Sequence, residues 1–241
     1  MKRSYIAVDI ETTGLRPDED AIIEIGAVKY EDGVVVDTYT SFINPGVRLP
    51  NHIVKLTGIT DEMLKDARKI EEVLPEFLEF FDSDFILGHN IKFDFSFLKT
   101  AAMRIGHKFE KHGIDTLRLA KLMHPELSSR TLEAMCKEYN IKRENKHRAY
   151  DDAKAAAELY EELLKKCIIN KNQYDEQFEP VALIYKPKKQ EPMTAKQKKY
   201  LLDLMEYHKI NDTIDFEVLT KSSASKLIDG IISEYGMLSR K

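Results

Sequence analysis

Apolar and polar residues alternate along Tyr5-Ile6-Ala7-Val8-Asp9-Ile10-Glu11. In a strand this puts Ile6, Val8 and Ile10 on one face and Ala7, Asp9 and Glu11 on the other. Two more β-rich runs, over 21–30 and 34–43, flank Glu31-Asp32-Gly33, a hairpin signal. The three strands are expected to pair as an antiparallel meander. The period then changes. Helices are predicted over 60–65, 70–81, 91–106, 117–123, 131–139 and 151–166, with short strands over 84–88 and 113–115. Strands followed by alternating helices and strands imply an α/β fold, a mixed sheet flanked by helices.

Two of those helices carry an acid on an apolar stripe. Asp94, Leu98, Ala101 and Ile105 share one helical face, and so do Asp152, Ala156, Leu159 and Leu163. A carboxylate at the edge of a core must be neutralised or held against a positive charge, because desolvating it costs several kcal/mol. Asp9, Glu11, Asp94 and Asp152 therefore stand out as chemistry. Asp151 competes with Asp152 and reads as a helix cap; register favours Asp152. Glu24 reads as a sheet contact and Asp115 as the cap of the helix beginning at Leu117. His89 reads as a packed or hydrogen-bonded histidine.

Beyond residue 168 the pattern weakens. Residues 1–168 form the expected main domain, 169–192 a linker, and 193–241 a small helical module. The linker's apolar patch Val181-Ala182-Leu183-Ile184 is expected to lie against the main domain. In the module, Thr194 caps one helix with Tyr200, Leu201, Leu204 and Met205 inward. Thr220 or Lys221 opens a second through Leu227, Ile228 and Ile231. The segment from Leu219 to Ile228 resembles helical tails of bacterial or phage DNA-processing proteins, which makes it a candidate docking module. Fewer than 50 residues make a marginal core on their own.

Composition adjusts this picture in two places. The 241 residues, 43% hydrophobic, contain two cysteines, Cys136 and Cys167, without metal-type spacing, and Cys136 reads as a core thiol. No apolar signal sequence or membrane span is evident, so a cytoplasmic protein is expected. Residues 186–241 hold 11 Lys and Arg against 8 Asp and Glu, a charge of +3, which leaves −7 for the rest of a −4 chain. An acidic domain attracts a polyanion only with the help of bound cations and local basic side chains. The run Lys186, Lys188, Lys189, Lys196, Lys198 and Lys199 is either a solvated face or a nucleic-acid contact.

Grouped carboxylates suit hard divalent cations such as magnesium or manganese. Two such ions about 3.5 to 4 Å apart activate water and stabilise a leaving oxygen in phosphoryl hydrolysis. His147 lies five residues before Asp152, on a loop that reaches the water side of the cluster, where a neutral imidazole acts as general base.

Asp9-Ile10-Glu11-Thr12-Thr13-Gly14-Leu15, Gly88-His89-Asn90-Ile91-Lys92-Phe93-Asp94 and His147-Arg148-Ala149-Tyr150-Asp151-Asp152-Ala153 resemble, in order, the three motifs of the DnaQ-like, or DEDDh, 3′-to-5′ exonucleases. The epsilon-subunit and PolC-type exonuclease domains of DNA polymerase III are members that the chain resembles. Residues 1 to about 166 are covered, including Gly26 and Leu56-Thr57-Gly58-Ile59-Thr60. The resemblance implies a ribonuclease H-like fold and stepwise release of nucleoside 5′-monophosphates from a 3′ end. It implies two metal ions on Asp9, Glu11, Asp94 and Asp152, with His147 as base. It also implies that the backbone at Thr12 and Thr13, the Leu15 side chain and Asn90 meet the terminal nucleotide. The expected partners are a single-stranded or frayed DNA 3′ end and a DNA polymerase, with no membrane. RNA or an oligoribonucleotide is the rival substrate, since these motifs do not report the 2′-hydroxyl. A non-catalytic nucleic-acid-binding adaptor for a polymerase is the rival of another class.

Overall fold

The computed structural model describes residues 4–81, 85–169, 175–188, 191–212 and 214–238. In chain order, β1 (Ser4–Thr12), β2 (Ile22–Glu31) and β3 (Val34–Phe42) are followed by α1 (Asn51–Thr57), α2 (Asp61–Leu64) and α3 (Ile70–Glu79). Then come β4 (Phe85–Gly88), α4 (Ile91–Arg104), β5 (His112–Asp115), α5 (Thr116–Met123), α6 (Leu132–Glu138) and α7 (Ala149–Ile169). A 3-10 turn over Asp175–Phe178 leads to β6 (Val181–Ala182), α8 (Ala195–His208) and α9 (Lys221–Tyr235). Of the expected features, Asp84, Lys189 and linker residues 170–174 and 190 lie outside the described residues.

The sheet order is β3-β2-β1-β4-β5-β6. β1 pairs antiparallel with β2 and parallel with β4; β4 and β5 are parallel, and β6 is antiparallel to β5. This is the mixed α/β sheet expected, with the meander intact. Asp32 and Gly33 both have positive φ, 50° and 80°, as a tight hairpin between right-twisted strands requires. The alternation in β1 assigns its two faces. Ile6, Val8 and Ile10 pack with Val73, Leu74 and Phe77 of α3 and Phe95 and Leu98 of α4. Tyr5 and Ala7 pack on the other face with Leu119, Met135 and the α7 residues Ala153, Ala156 and Leu163.

Three elements depart from the sequence reading. α1 falls in a stretch to which the sequence pattern assigns no element: it spans seven residues, starts after Pro50 and ends at Gly58 with φ 71°. Such a short helix shows little period. The Val181–Ile184 patch does lie against the main domain, and its first two residues extend the sheet as β6, with Leu183 buried in the core. Helix α7 begins two residues before the expected start. In the C-terminal module, Thr194 and Thr220 each close a capping box, and Leu201, Leu204, Leu219, Ile228 and Ile231 form its core.

Candidate active site

The site lies at the carboxyl end of β1, where the sheet opens. β4 pairs with β1 only through Ile6–Ile86 and Ala7–Leu87, so β1 continues past its parallel neighbour. Open α/β sheets place ligand crevices at this kind of divergence. Asp9 and Glu11 project from the same face of that free end. Asp94, in the first turn of α4, fills the gap on the other side: its Oδ1 accepts the Ile10 N–H at 3.0 Å. A register shift between Glu11 and Thr12 ends the regular pairing with β2 next to these acids.

Asp152 arrives through Gly26. A Cβ at position 26 would lie 2.1 Å from the Tyr150 amide nitrogen and 2.2 Å from the Ala149 carbonyl carbon. Only glycine lets the first turn of α7 press onto β2. Glu24 completes the anchor. Buried in β2 and opposite Glu11 in register, it accepts from Arg148 Nε at 3.1 and 3.2 Å, Arg148 Nη2 at 2.9 Å and the Ala149 N–H at 3.1 Å. Glu24 is thus more than a sheet contact: it ties down the residue after His147. His147 itself takes a left-handed backbone, φ 56°, a conformation that costs a non-glycine residue about 1 kcal/mol and needs such anchoring.

Glu11, His147 and Asp152 each present one ligand atom, and these atoms lie within 4.8 Å of one another. His147, expected as a base alone, therefore also stands within ligand reach. Asp9 and Asp94 are not in that trio, but the Glu11 charge acts on both of them. Burial, then Asp94, Glu11, Asp152 and Glu24 hold the Asp9 carboxyl well above the usual range. Burial raises Asp94 likewise, against the backbone hydrogen bonds that lower it. Glu11 is pushed up to about 8 by burial and by Asp152 and Glu24. Burial also raises Asp152, opposed by Arg143 and His147.

The donor set fits a hard divalent cation: carboxylate oxygens with one imidazole, buried at Asp94 and Asp152 and half-buried at Asp9, Glu11 and His147. Asp152 Oδ1 is buried and accepts no hydrogen bond. Arg143 Nε is 3.0 Å from it yet is not aligned to donate. Arg143 is the neighbour that sequence reasoning missed, since it lies in the aperiodic stretch between α6 and α7. Asp151 instead accepts from Asn145 Nδ2 at 3.0 Å, away from the cluster.

The remaining expected residues surround the mouth. Thr12 and Thr13 are buried, and their hydroxyls are committed within the loop: Thr12 to the Gly14 carbonyl at 2.6 Å, Thr13 to the Ala21 N–H at 2.9 Å. The Thr13 N–H is committed as well, donating to the Ala21 carbonyl at 2.9 Å. Leu15 is 81% exposed, and Asn90, exposed with φ 74°, donates its N–H to Asp115 Oδ1 at 2.9 Å. Asp115 also caps α5, and His89 bridges Thr116 Oγ1 and the Arg130 carbonyl, as their packed readings expected.

Residues 6–160 match the exonuclease family RNase_T, and the chain belongs to that family. A DNA polymerase III of PolC type from Caldanaerobacter subterraneus subsp. tengcongensis is 42% identical over 166 residues, 69% of this chain and 12% of that polymerase. The chain thus matches about an eighth of the length of that relative. Among solved structures, E. coli exonuclease I in complex with a dT13 oligonucleotide superposes with a TM-score of 0.62 at 19% identity, covering 70% of this chain and 42% of that one. A 3′-exonuclease that recognises the histone mRNA stem-loop gives 0.58 at 19% identity, covering 68% and 64%. Both establish the ribonuclease H-like exonuclease fold. No helix among the described residues is long and apolar enough to cross a membrane.

Proposed function

We propose that the chain removes nucleoside 5′-monophosphates from the 3′ end of single-stranded or frayed DNA, with two divalent ions, magnesium or manganese. The observation that carries this reading is the convergence of Asp9, Glu11, Asp94, Asp152 and His147 on one opening of the sheet, every acid among them with a raised pKa. Asp9, Glu11, Asp94 and Asp152 would hold the ions. Bound there, divalent cations supply an acidified water and charge neutralisation at the leaving oxygen.

The chain's own residues do the rest. His147, on its anchored left-handed turn, takes the proton of the attacking water, and Glu24 keeps it in place through Arg148 and Ala149. The backbone at Thr12 and Thr13 and the exposed Leu15 side chain receive the terminal nucleotide, with Asn90 across the mouth. The polymerase-type relatives support DNA as substrate and work beside a polymerase as the setting; the stem-loop exonuclease among the structural neighbours keeps RNA as the second reading.

Matched 3′-labelled DNA and RNA strands, digested by the full chain across a magnesium and manganese titration, separate the two. Labelled mononucleotide released faster from DNA supports the proposal; faster release from RNA replaces it with the rival. Tight DNA binding with no hydrolysis at any metal concentration supports a non-catalytic adaptor. His147→Ala is expected to lower kcat by about 10² to 10⁴, the usual worth of a general base, with little change in metal affinity. An equal loss of metal affinity makes it a ligand instead.

A further inference from the structure

The loop after β1 folds around the buried carboxylate of Asp20. Asp20 is 5% exposed. Its Oδ2 accepts the Arg16 N–H at 2.9 Å, and its Oδ1 lies 3.4 Å from Thr13 Oγ1. A Cβ on Gly14 would come within 2.5 to 2.6 Å of all three Asp20 carboxyl atoms, so the loop closes directly over the acid. The cation paired with Asp20 comes from the other end of the chain: Lys226 Nζ, in the second turn of α9. Lys188 pairs in the same way with Asp18, at 2.8 Å, and Lys69 with Asp215 of the module. The Asp215 N–H also donates to the Gly46 carbonyl at 3.0 Å. Between module and main domain lies a cleft of about 460 Å³, with Thr13, Asp20, Arg48 and His52 on one wall and Lys226 and Leu227 on the other.

We infer that the C-terminal module is part of the substrate site, and that Lys226 is a positioning residue that sets the Thr13–Asp20 loop for the nucleic-acid strand. Thr12 directly follows Glu11, so a strand with its phosphate at the acids must pass beside this loop, and Leu15 already stands clear of the protein there. A buried carboxylate that loses its cation is left uncompensated, and the segment folded around it must rearrange toward water. The module therefore stabilises a loop it does not belong to, and its own marginal core is fastened by the same contacts. The inference rests on the proposed exonuclease reading for its substrate, but the clip itself does not.

Lys226→Met, Lys226→Arg and Lys221→Met, all in the full chain, test it. Lys221 loses the same charge from the same helix, but its partner is Glu191 at 3.5 Å rather than the loop. Lys226→Met is expected to raise KM for a 3′-labelled single strand about tenfold, the equivalent of ~1.4 kcal/mol, with manganese affinity unchanged and kcat nearly so. Amide hydrogen exchange over residues 13–20 should quicken in the same variant. Lys226→Arg should restore most of both, and Lys221→Met should resemble the unmodified protein. Unchanged KM and unchanged exchange in Lys226→Met overturn the inference; so does an equal rise in KM with Lys221→Met, which would indicate general charge attraction. If the unmodified protein hydrolyses nothing, the exonuclease reading fails, and exchange over 13–20 alone decides the clip.

Discussion

Glu11 carries the clearest signature of a site made for a cation. Its carboxyl is displaced from the ordinary 4.5 to about 8 by burial and by the neighbouring acids. A group whose folded pKa is raised contributes stability that is present below its unfolded pKa and lost as pH rises through the folded value. The metal-free protein should therefore lose thermal stability between about pH 5 and pH 8, with Asp9 and Asp94 acting in the same direction. Glu11→Gln should flatten that slope, and manganese at pH 8 should raise Tm, because binding replaces the protons. A melting temperature of the metal-free protein that climbs over this range contradicts the account. At this scale the sequence was informative wherever period locates a residue: alternation picks out Asp9 and Glu11, and helical register picks Asp152 over Asp151. Glu24's full role was hidden because its partners lie 124 and 125 residues away, and Arg143 because it sits in an aperiodic stretch nine residues before Asp152.

Between elements, the decisive contact is α7 on β2 at Gly26. Gly26→Ala would place a methyl 2.1 Å from backbone, where no flexible side chain can yield, so α7 must shift. The expected cost is about 1 to 3 kcal/mol or more, as for overpacking elsewhere, together with a marked loss of manganese affinity as Asp152 and His147 move off Glu11. Titration calorimetry with manganese checks it; affinity equal to that of the unmodified protein would mean that α7 does not set the site. The sheet's far edge gives a second case. Leu183, in a stretch read as linker, is 4% exposed, and its methyls fill the space beside Gly113. Leu183→Ala should lower the urea unfolding free energy by about 2 to 4 kcal/mol, as for a core leucine, against less than ~0.5 for a tethering loop. Long elements with a sustained period were readable in the sequence; α1 and β6, seven and two residues long, were not, because they owe their form to tertiary contacts.

Over the whole molecule, an open mixed sheet supplies a strand end free of its parallel neighbour, and two helices bring acids to it from opposite faces. The chain's charge is arranged to match: the acidic front of the chain concentrates carboxylates at the opening, while residues 186–241, with a charge of +3, are fastened across the loop beside it through Lys188 and Lys226. The change in composition after residue 168 suggests a boundary there, but the ion pairs that join residues 186–241 to the preceding chain were not legible, since surface charges carry no positional signal in sequence. Asp9, Glu11, Asp94 and Asp152 are proposed to run a metal-dependent attack on a 3′ end. Release of 3′-label from a single DNA strand in magnesium or manganese, compared between the unmodified chain and Asp9→Ala with circular dichroism as a fold control, tests it most directly. The account expects labelled mononucleotide from the unmodified chain and none from a folded Asp9→Ala; equal release from both, or none from the unmodified chain at any metal concentration, would contradict it.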